Sequence, residues 1–288
     1  MKFIFITDTH LGGKNLSGFQ MQPRYTEHNA ELLTALDKVV RREAAELVIH
    51  GGDMTDDGTP EQIHEAAFLY RKHLSAPVVL ALGNHDCRPK ECAKVWLEYG
   101  PGFFPAGTCD TTIICDGLRI DVLSLHWGKE EQTWTQEDGQ FIHLAPEQWE
   151  RLRNGDQTLP RIIVMHAQIR PGVPEKTGLD HPVLVPENNF AATGDALIAE
   201  FHPLMILSGH NHLNLRDDIN GTFAVSASSL AETPFECKLV EYRNGKLSME
   251  TLSLADELDF KGEYWEHQRF VQGLPEERCF NTAVKSSR

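Results

Sequence analysis

The sequence predicts an α/β fold in which two packed sheets are flanked by helices. Strand and helix patterns alternate over the first 86 residues, which is typical of parallel β-α-β units. About ten strands are predicted in all, more than one open sheet holds comfortably. Apolar residues make up 41% of the 288-residue chain, which is enough for one sizeable core.

The first half of the chain supplies the β-α-β-α-β run. Its strands are short apolar runs, and its first helix carries leucine and valine at helical spacing. Thr59 is a suitable N-cap for the second helix, with Pro60 at the first helical position. In chain order the elements are a strand at 3–8, a helix at 27–46, a strand at 46–53, a helix at 59–74 and a strand at 76–86. We expect the three strands to be parallel, with right-handed crossovers.

The second half mixes hairpins with further α/β elements. Asp116-Gly117 and Asn244-Gly245 are typical of two-residue hairpin turns. The predicted elements are a hairpin at 111–126, helices at 145–154 and 193–202, and strands at 161–166, 203–210, 221–228, 236–243 and 246–253. We expect the last three strands to form one antiparallel series. Residues 130–143, which are polar, are a predicted loop.

The composition changes near residue 253. Residues 1–253 hold all the predicted elements and form one predicted domain. Residues 254–288 are more polar and form a C-terminal extension, for which a cap, an oligomer arm and a tail are all open.

Charge and cysteine content restrict the class of protein. The net charge of −15 repels nucleic-acid backbones and anionic membranes. No apolar run approaches the length of a membrane span, and the apolar start is too short for a signal peptide. The six cysteines include no CxxC pair and are expected to be free thiols. We therefore expect a cytoplasmic protein with a small-molecule partner, and leave a homo-oligomer open.

Each of five buried strands ends at side chains that can bind a metal ion. In strand order these are Asp8 and His10; Asp53; Asn84 and His85; His166; and His210 and His212. The carboxyl ends of strands are where α/β sheets bind ligands. A single Asp-x-His or His-x-His pair is common in turns, so the prediction of a metal site depends on five such strand ends in one chain.

Two of these strand ends carry potential ligands two residues apart. Strand residues i and i+2 share a face at about 6.7 Å. Asp8 with His10, and His210 with His212, could therefore converge on a pair of ions about 3.5–4 Å apart. The sequence predicts a dinuclear metal site.

The order of the motifs resembles the calcineurin-like metallophosphoesterase superfamily. The matching pieces are D-x-H at Asp8, G-D at Asp53, G-N-H-D ending at Asp86, the lone His166 and G-H-x-H ending at His212. Within the superfamily, the chain resembles bacterial class III cyclic nucleotide phosphodiesterases and glycerophosphodiesterases. The resemblance spans residues 3 to about 228. It implies a four-layer α/β/β/α sandwich of two mixed sheets, with residues 1–253 as the catalytic domain.

The resemblance also implies two divalent ions and a role for each motif residue. The ligand sets are Asp8, His10 and His212 for the first ion, and Asn84, His166 and His210 for the second. Asp53 would bridge the ions, and His85 would lie beside the substrate phosphate as general acid or charge stabiliser. Oxygen and imidazole ligands without thiolate suit manganese, iron, zinc or cobalt, and we favour the first three.

The expected reaction is hydrolysis of a phosphoester. A water bridging two cations loses a proton near neutral pH and becomes a nucleophile. A protonated His85 would help a poor alkoxide leave. Asp56 or Asp86 could orient one of the motif histidines.

Other polar residues are weaker candidates for the pocket. His50 is expected to be packed or to support a ligand, while His126 and His181 follow strands or lie in loops near strand ends. Three basic residues could contribute positive charge, although solvated surface positions are the simpler interpretation for Lys14, Arg24 and Arg170.

Several functions are compatible with this site. We favour a phosphodiesterase acting on a small molecule such as a cyclic nucleotide or a glycerophosphodiester. A phosphomonoesterase or a nucleotide pyrophosphatase would use the same ions. A scaffold on a degenerate site is disfavoured because every ligand position is filled, and a nuclease is disfavoured by the charge of −15.

Overall fold

Two six-stranded sheets form the centre of the molecule in the computed structural model, which describes residues 1–14, 22–128, 141–183, 188–265 and 271–284. The first sheet has the strand order β12-β11-β10-β1-β2-β3, and the second has the order β4-β5-β6-β7-β9-β8. The strands are β1 Lys2–Ile6, β2 Leu47–His50, β3 Val78–Leu80, β4 Thr111–Cys115, β5 Leu118–Val122, β6 Arg161–Val164, β7 Met205–Ser208, β8 Leu215–Ile219, β9 Thr222–Ser226, β10 Glu236–Arg243, β11 Lys246–Ser253 and β12 Cys279–Ala283.

Both sheets are mixed. Strands β1, β2 and β3 are parallel, as are β5, β6, β7 and β9, and the outer strands are added antiparallel. The helices are α1 Asn29–Glu43, α2 Pro60–His73, α3 Cys92–Tyr99, α4 Pro146–Asn154, α5 Pro174–Thr177 and α6 Asn188–Phe201. No helix in the described ranges is both long and apolar enough to cross a membrane.

Alternation along the strands divides the core into layers. Phe5 of β1 and Val122 of β5 belong to a buried cluster drawn from strands of both sheets. Ile4, the neighbour of Phe5, belongs instead to a cluster shared with helix residues such as Leu32 and Leu36. Because successive strand residues point to opposite faces, each sheet packs one face on the other sheet and one face on helices. This confirms the predicted α/β class and its two mixed sheets flanked by helices.

The local signals for turns and caps are confirmed. Thr59 Oγ1 accepts a hydrogen bond from the backbone N–H of Gln62, and Pro60 opens α2. Asp116-Gly117 and Asn244-Gly245 join paired strands, and both residues of each turn have positive φ, as a type I′ turn requires.

The predicted antiparallel series of three strands is wrong. β10 and β11 do pair antiparallel, but β9, predicted as 221–228, lies in the other sheet, where it is parallel to β7. The reason is β8, an unpredicted strand that forms a hairpin with β9.

Other elements differ in extent. α3, α5 and β12 were not predicted, β3 is shorter than the predicted 76–86, and α6 begins before residue 193. β12 pairs with β11, so part of the C-terminal extension joins the first sheet. The division at residue 253 stays a prediction. Most of the predicted loop 130–143 lies outside the described residues.

Candidate metal centre

The eight predicted site residues come together where five strands end. Each lies two to five residues beyond the end of its strand. The residues meet because β1, β2, β3, β6 and β7 all point their carboxyl ends to the same region. Six of the eight are buried, and two are partly exposed, namely His85 and His210. Backbone hydrogen bonds extend the sheet to this level, from Asp8 N to Gly52 O (2.9 Å) and from Gly209 N to His166 O (2.9 Å).

The backbone presents these side chains in an unexpected conformation. The predicted i, i+2 strand geometry is wrong, because β1 ends at Ile6 and β7 ends at Ser208. Asp8 and His10 have φ angles of 57° and 44°. His210 and His212 have φ angles of 69° and 55°, and that of Asp53 is 52°. Five residues with side chains therefore adopt the left-handed conformation, which usually costs about 1–2 kcal/mol per residue. Such conformations cluster at functional sites.

One group of donors consists of Asp8, His10 and His212. Asp8 Oδ1 lies 3.2 Å from His212 Nε2 and 3.8 Å from His10 Nε2. The two Nε2 atoms lie 3.3 Å apart. All three residues can therefore offer an atom to one ion.

A second group lies beside the first. Asp53 Oδ2 is 3.2 Å from His166 Nε2, and Asp53, His166 and His210 can offer ligand atoms within 4.8 Å of one another. Asn84 Oδ1 is 2.9 Å from His210 Nδ1. Asp53 Oδ2 also lies 3.9 Å from His10 Nε2, so it stands between the two groups as a bridging ligand must.

The orientation of the imidazoles fits a pair of divalent cations. The Nδ1 atoms of His10, His166 and His212 contact oxygens of Asp56, Gly51 and Glu232, which leaves each Nε2 facing the other donors. Asp8 Oδ1 and His166 Nε2 are buried and, among the described residues, make no well-directed hydrogen bond, although each lies 3.2 Å from another donor atom of the site. Buried polar atoms normally have partners, so these two atoms are suited to an ion. Assignment of the individual ligands stays a prediction.

The pKa values of the rings reflect the crowding of carboxylates. Burial lowers the pKa of His212, but Glu232 and Asp8 outweigh it and raise the pKa to about 10. Burial opposes protonation of His166 too, while Asp53 and Asp8 raise its pKa to about 9. Burial dominates for His10 and holds its pKa near 3. In the ion-free protein at neutral pH, His212 and His166 therefore carry a proton on each ring nitrogen.

This protonation predicts that uptake of ions releases protons. A ligating Nε2 must lose its proton, so binding at pH 7 should release up to one proton each from His212 and His166. Apparent affinity for Mn²⁺ should rise with pH from 6 toward 9. Calorimetric titration with Mn²⁺ in two buffers of different ionisation enthalpy measures the released protons. Heat that does not depend on the buffer would contradict the prediction.

Asp56, not Asp86, contacts the motif histidines. Asp56 Oδ1 lies 3.2 Å from His10 Nδ1 and 3.4 Å from His85 Nδ1. Asp86 accepts hydrogen bonds from the backbone of Gly83, Met54 and Thr55. Asp86 therefore links the loop after β3 to the loop after β2. Either Asp56 or Asp86 was predicted to orient a motif histidine, and of the two only Asp56 contacts one.

His85 differs from the predicted ligands in its exposure and hydrogen bonds, although its ring can offer an atom to one ion together with His10 and Asp53. Its backbone N–H donates to Asp53 Oδ1 at 2.9 Å, and its Nδ1 contacts the carbonyl oxygen of Asp56 at 2.8 Å. Burial lowers the pKa of His85, but Asp53 and Asp56 together raise it above its ordinary value. The side chain is 14% exposed, more than His10 or His166, so solvent reaches it more readily than it reaches those two ligands.

Three residues at the site were missed or misjudged. Trp127 is fully buried, with ring centroids 5.6 and 5.3 Å from those of His166 and His210. Glu232 contacts His212, and Arg24, expected on the surface, is buried against Glu232. None of the three carries a strand-end signal.

The remaining candidates have other surroundings. His50 is buried, with Nε2 3.1 Å from Thr9 Oγ1 and Nδ1 accepting from Gly52 N, which is the packed role predicted for it. Arg170 pairs with Asp195, and His181 is exposed beside Asp180.

Gly209 allows the backbone of one strand end to touch another. A Cβ atom there would lie 1.9 Å from Thr7 Oγ1 and 2.6 Å from Asp8 Oδ2, so both side chains would have to move. We predict that Gly209→Ala lowers the free energy of unfolding by about 1–3 kcal/mol and weakens ion binding, because Asp8 must move. Denaturant unfolding and Mn²⁺ titration measure the two effects. Gly102→Ala is the control, since nothing lies within 4 Å of its added Cβ; equal behaviour of the two variants would disprove the prediction.

Comparisons with known proteins place the chain among others of the same fold. The family model for calcineurin-like phosphoesterases matches residues 1–214. A dimetal phosphatase from Danio rerio superposes with a TM-score of 0.67 at 17% identity, covering 88% of this chain and 96% of that one. Purple acid phosphatase PPD1 from yellow lupin superposes with a TM-score of 0.57 at 14% identity, covering 98% of this chain and 53% of that one.

A third structure of the same fold is GAP50 of Plasmodium, with a TM-score of 0.58 at 11% identity, covering 100% of this chain and 89% of that one. At these identities the likeness shows a shared fold. No curated protein matches the chain.

Proposed function

The chain belongs to the calcineurin-like phosphoesterase family, and on that premise we propose that it is a two-metal hydrolase that prefers small-molecule phosphodiesters. The observation that carries the proposal is the pair of adjoining donor groups that share Asp53. An intact pair of groups is what a hydrolase needs and what a degenerate scaffold has no reason to keep.

The chain's own residues hold the ions in this proposal. Asp8, His10 and His212 would hold one, and Asn84, His166 and His210 the other, with Asp53 between them. Bound divalent ions supply charge neutralisation for phosphoryl oxygens and activation of water. The oxygen and imidazole donors favour manganese, iron or zinc. Asp56 keeps the Nε2 of His10 turned inward by contacting its Nδ1.

His85 is the proposed general acid. Its Nδ1 is engaged by Asp56, so a transferable proton must come from Nε2. In the ion-free protein the neighbouring carboxylates outweigh burial and raise the pKa of His85, which favours the protonated ring that donation requires. Any phosphoester that loses an alkoxide needs such a proton. We prefer the diester class because the order of the motifs resembles that of phosphodiesterases.

The charge of the site does not choose between ester classes. Asp8, Asp53, Asp56 and Glu232 all lie within or beside the donor groups. Two bound divalent ions, together with Arg24, would offset their negative charge. Two of the structural neighbours are phosphatases, and for that reason a phosphomonoesterase is the second candidate, together with a nucleotide pyrophosphatase.

A substrate comparison tests the proposal. Hydrolysis of bis-p-nitrophenyl phosphate and p-nitrophenyl phosphate is measured side by side with Mn²⁺, Fe²⁺, Zn²⁺ and Co²⁺. We expect the diester to turn over faster. Turnover of the monoester alone would reject the preference. GAP50 is an anchor in the inner membrane complex of Plasmodium, and fewer than one ion per purified chain would favour a comparable scaffold role here.

The cellular context is also part of the proposal. We place the protein in the cytoplasm on its cysteine usage, with a small-molecule substrate rather than nucleic acid or a membrane, because of the charge of −15. Size-exclusion chromatography tests whether the chain self-associates.

A further inference from the structure

We propose that Glu232, held in place by Arg24, is a positioning residue that orients His212 toward the first ion. The proposal rests on the proposed two-ion site but on no particular substrate.

The contact between Glu232 and His212 fixes the direction of the ring. His212 Nδ1 donates to Glu232 Oε1 at 2.8 Å. The opposite nitrogen, Nε2, then faces Asp8 Oδ1 at 3.2 Å and His10 Nε2 at 3.3 Å. A carboxylate on the far nitrogen of a ligating histidine fixes its tautomer and raises its basicity as a ligand.

Arg24 holds the carboxylate at that position. Its Nε donates to the same Oε1 atom of Glu232 at 3.0 Å. Glu232 is 0% exposed and Arg24 is 8% exposed, so water contributes little to stabilising either charge. Buried charges are tolerated when they are paired. Glu232 Oε2 has no hydrogen-bond partner in the described parts of the chain, so the pairing depends on Oε1.

The backbone fixes Glu232 relative to the other donors. Ser229 Oγ donates to the carbonyl oxygen of Asp8 at 2.6 Å, and Leu230 N donates to that of Thr7 at 3.0 Å. Arg24 and Glu232 also form an isolated antiparallel bridge, next to the bond from Tyr25 N to Ala231 O. The segment 229–232 is thus attached both to the end of β1 and to the chain around Arg24.

The alternative is that Glu232 and Arg24 merely stabilise the fold. The chain offers a matched pair for comparison, because Glu236 is 3% exposed and ion-paired with Arg278 but bonds to none of the predicted ligands. The change Glu236→Gln therefore removes a buried, arginine-paired carboxylate without touching His212.

The test is titration of metal-stripped protein with Mn²⁺ by calorimetry, together with thermal unfolding of the same metal-free samples. For Glu232→Gln we expect one of the two binding steps to weaken by about 10–100-fold while the other is unchanged. Arg24→Met should weaken the same step, and Glu236→Gln should leave both steps as in the wild type. Selective loss of one step is a readout that general destabilisation does not produce.

Two results would overturn the proposal. One is wild-type affinity at both steps in Glu232→Gln. The other is that Glu232→Gln weakens both binding steps equally and lowers the unfolding temperature, and that Glu236→Gln does the same. The titration needs no turnover, so it is independent of the substrate comparison. If no phosphoester were hydrolysed but Glu232→Gln still weakened one Mn²⁺ binding step, the hydrolase would be rejected and the positioning role of Glu232 would stand. A wild-type chain that takes up no Mn²⁺ would overturn both.

Discussion

Asp53→Ala is expected to lower turnover by at least about a thousandfold and to leave less than one ion per chain. Asp53 is the predicted bridging ligand, and its Oδ2 reaches both groups of donors, at 3.2 Å from His166 and 3.9 Å from His10. Loss of a bridging carboxylate removes several kcal/mol of charge stabilisation, and about 1.4 kcal/mol corresponds to a tenfold rate change. Metal analysis and hydrolysis of bis-p-nitrophenyl phosphate measure the two effects.

The control for Asp53→Ala is a buried aspartate outside the site. Asp121 is fully buried and pairs with Arg119 and Arg161. Asp121→Ala should reduce stability yet keep both ions in the fraction that folds. If Asp53→Ala bound two ions with wild-type affinity, the bridging role would be rejected.

His85→Ala is expected to keep both ions and to lower turnover by about 10²–10⁴-fold, the range typical of a lost general acid. The effect should be larger for a diester with an alkyl leaving group than for one with p-nitrophenolate, which leaves without protonation. Metal content and rates on both diesters measure this contrast. Equal losses on both would argue for charge stabilisation instead, and an empty site would make His85 a ligand.

The pH profile gives a second test of His85. A general acid acts only while protonated, so wild-type activity should fall on the alkaline side as pH rises through the pKa of His85. In the ion-free protein, burial lowers the pKa of His85 and the neighbouring carboxylates outweigh it, whereas bound cations would lower this pKa and move the fall to lower pH. The His85→Ala variant should lose this alkaline fall. A profile unchanged in shape would show that another group controls it.

The sequence was sufficient for the parts of the fold that local chemistry determines. Strand-end ligands, the Thr59 cap and the two Gly-containing turns depend on neighbours in the chain. The placement of β9 depends on β8, whose sequence Leu-Arg-Asp-Asp-Ile is too charged to suggest a strand. One local signal was available, because Asn-Gly is typical of hairpin turns. In the structure Asn220-Gly221 joins β8 to β9, and both residues have positive φ.

The site shows the same division between local and distant information. The motif residues could be predicted from the sequence, but the residues that contact them could not. Glu232 lies 20 residues from His212 and 208 from Arg24, in a stretch without any motif. Trp127 borders His166 and His210 only because the second sheet brings β5 beside β6. Contacts of this kind depend on tertiary packing, which one sequence does not display.

Left-handed backbone costs stability, and here it occurs at residues that also carry predicted ligand atoms, namely Asp8, His10, Asp53, His210 and His212. Glycine would relax each of these five positions, yet each such change would delete a donor. Engineering for thermal tolerance alone would therefore select against the site, one residue at a time. Seven further non-glycine residues among those described also have positive φ, so it is the combination of this backbone with donor side chains, and not the strain alone, that distinguishes the site.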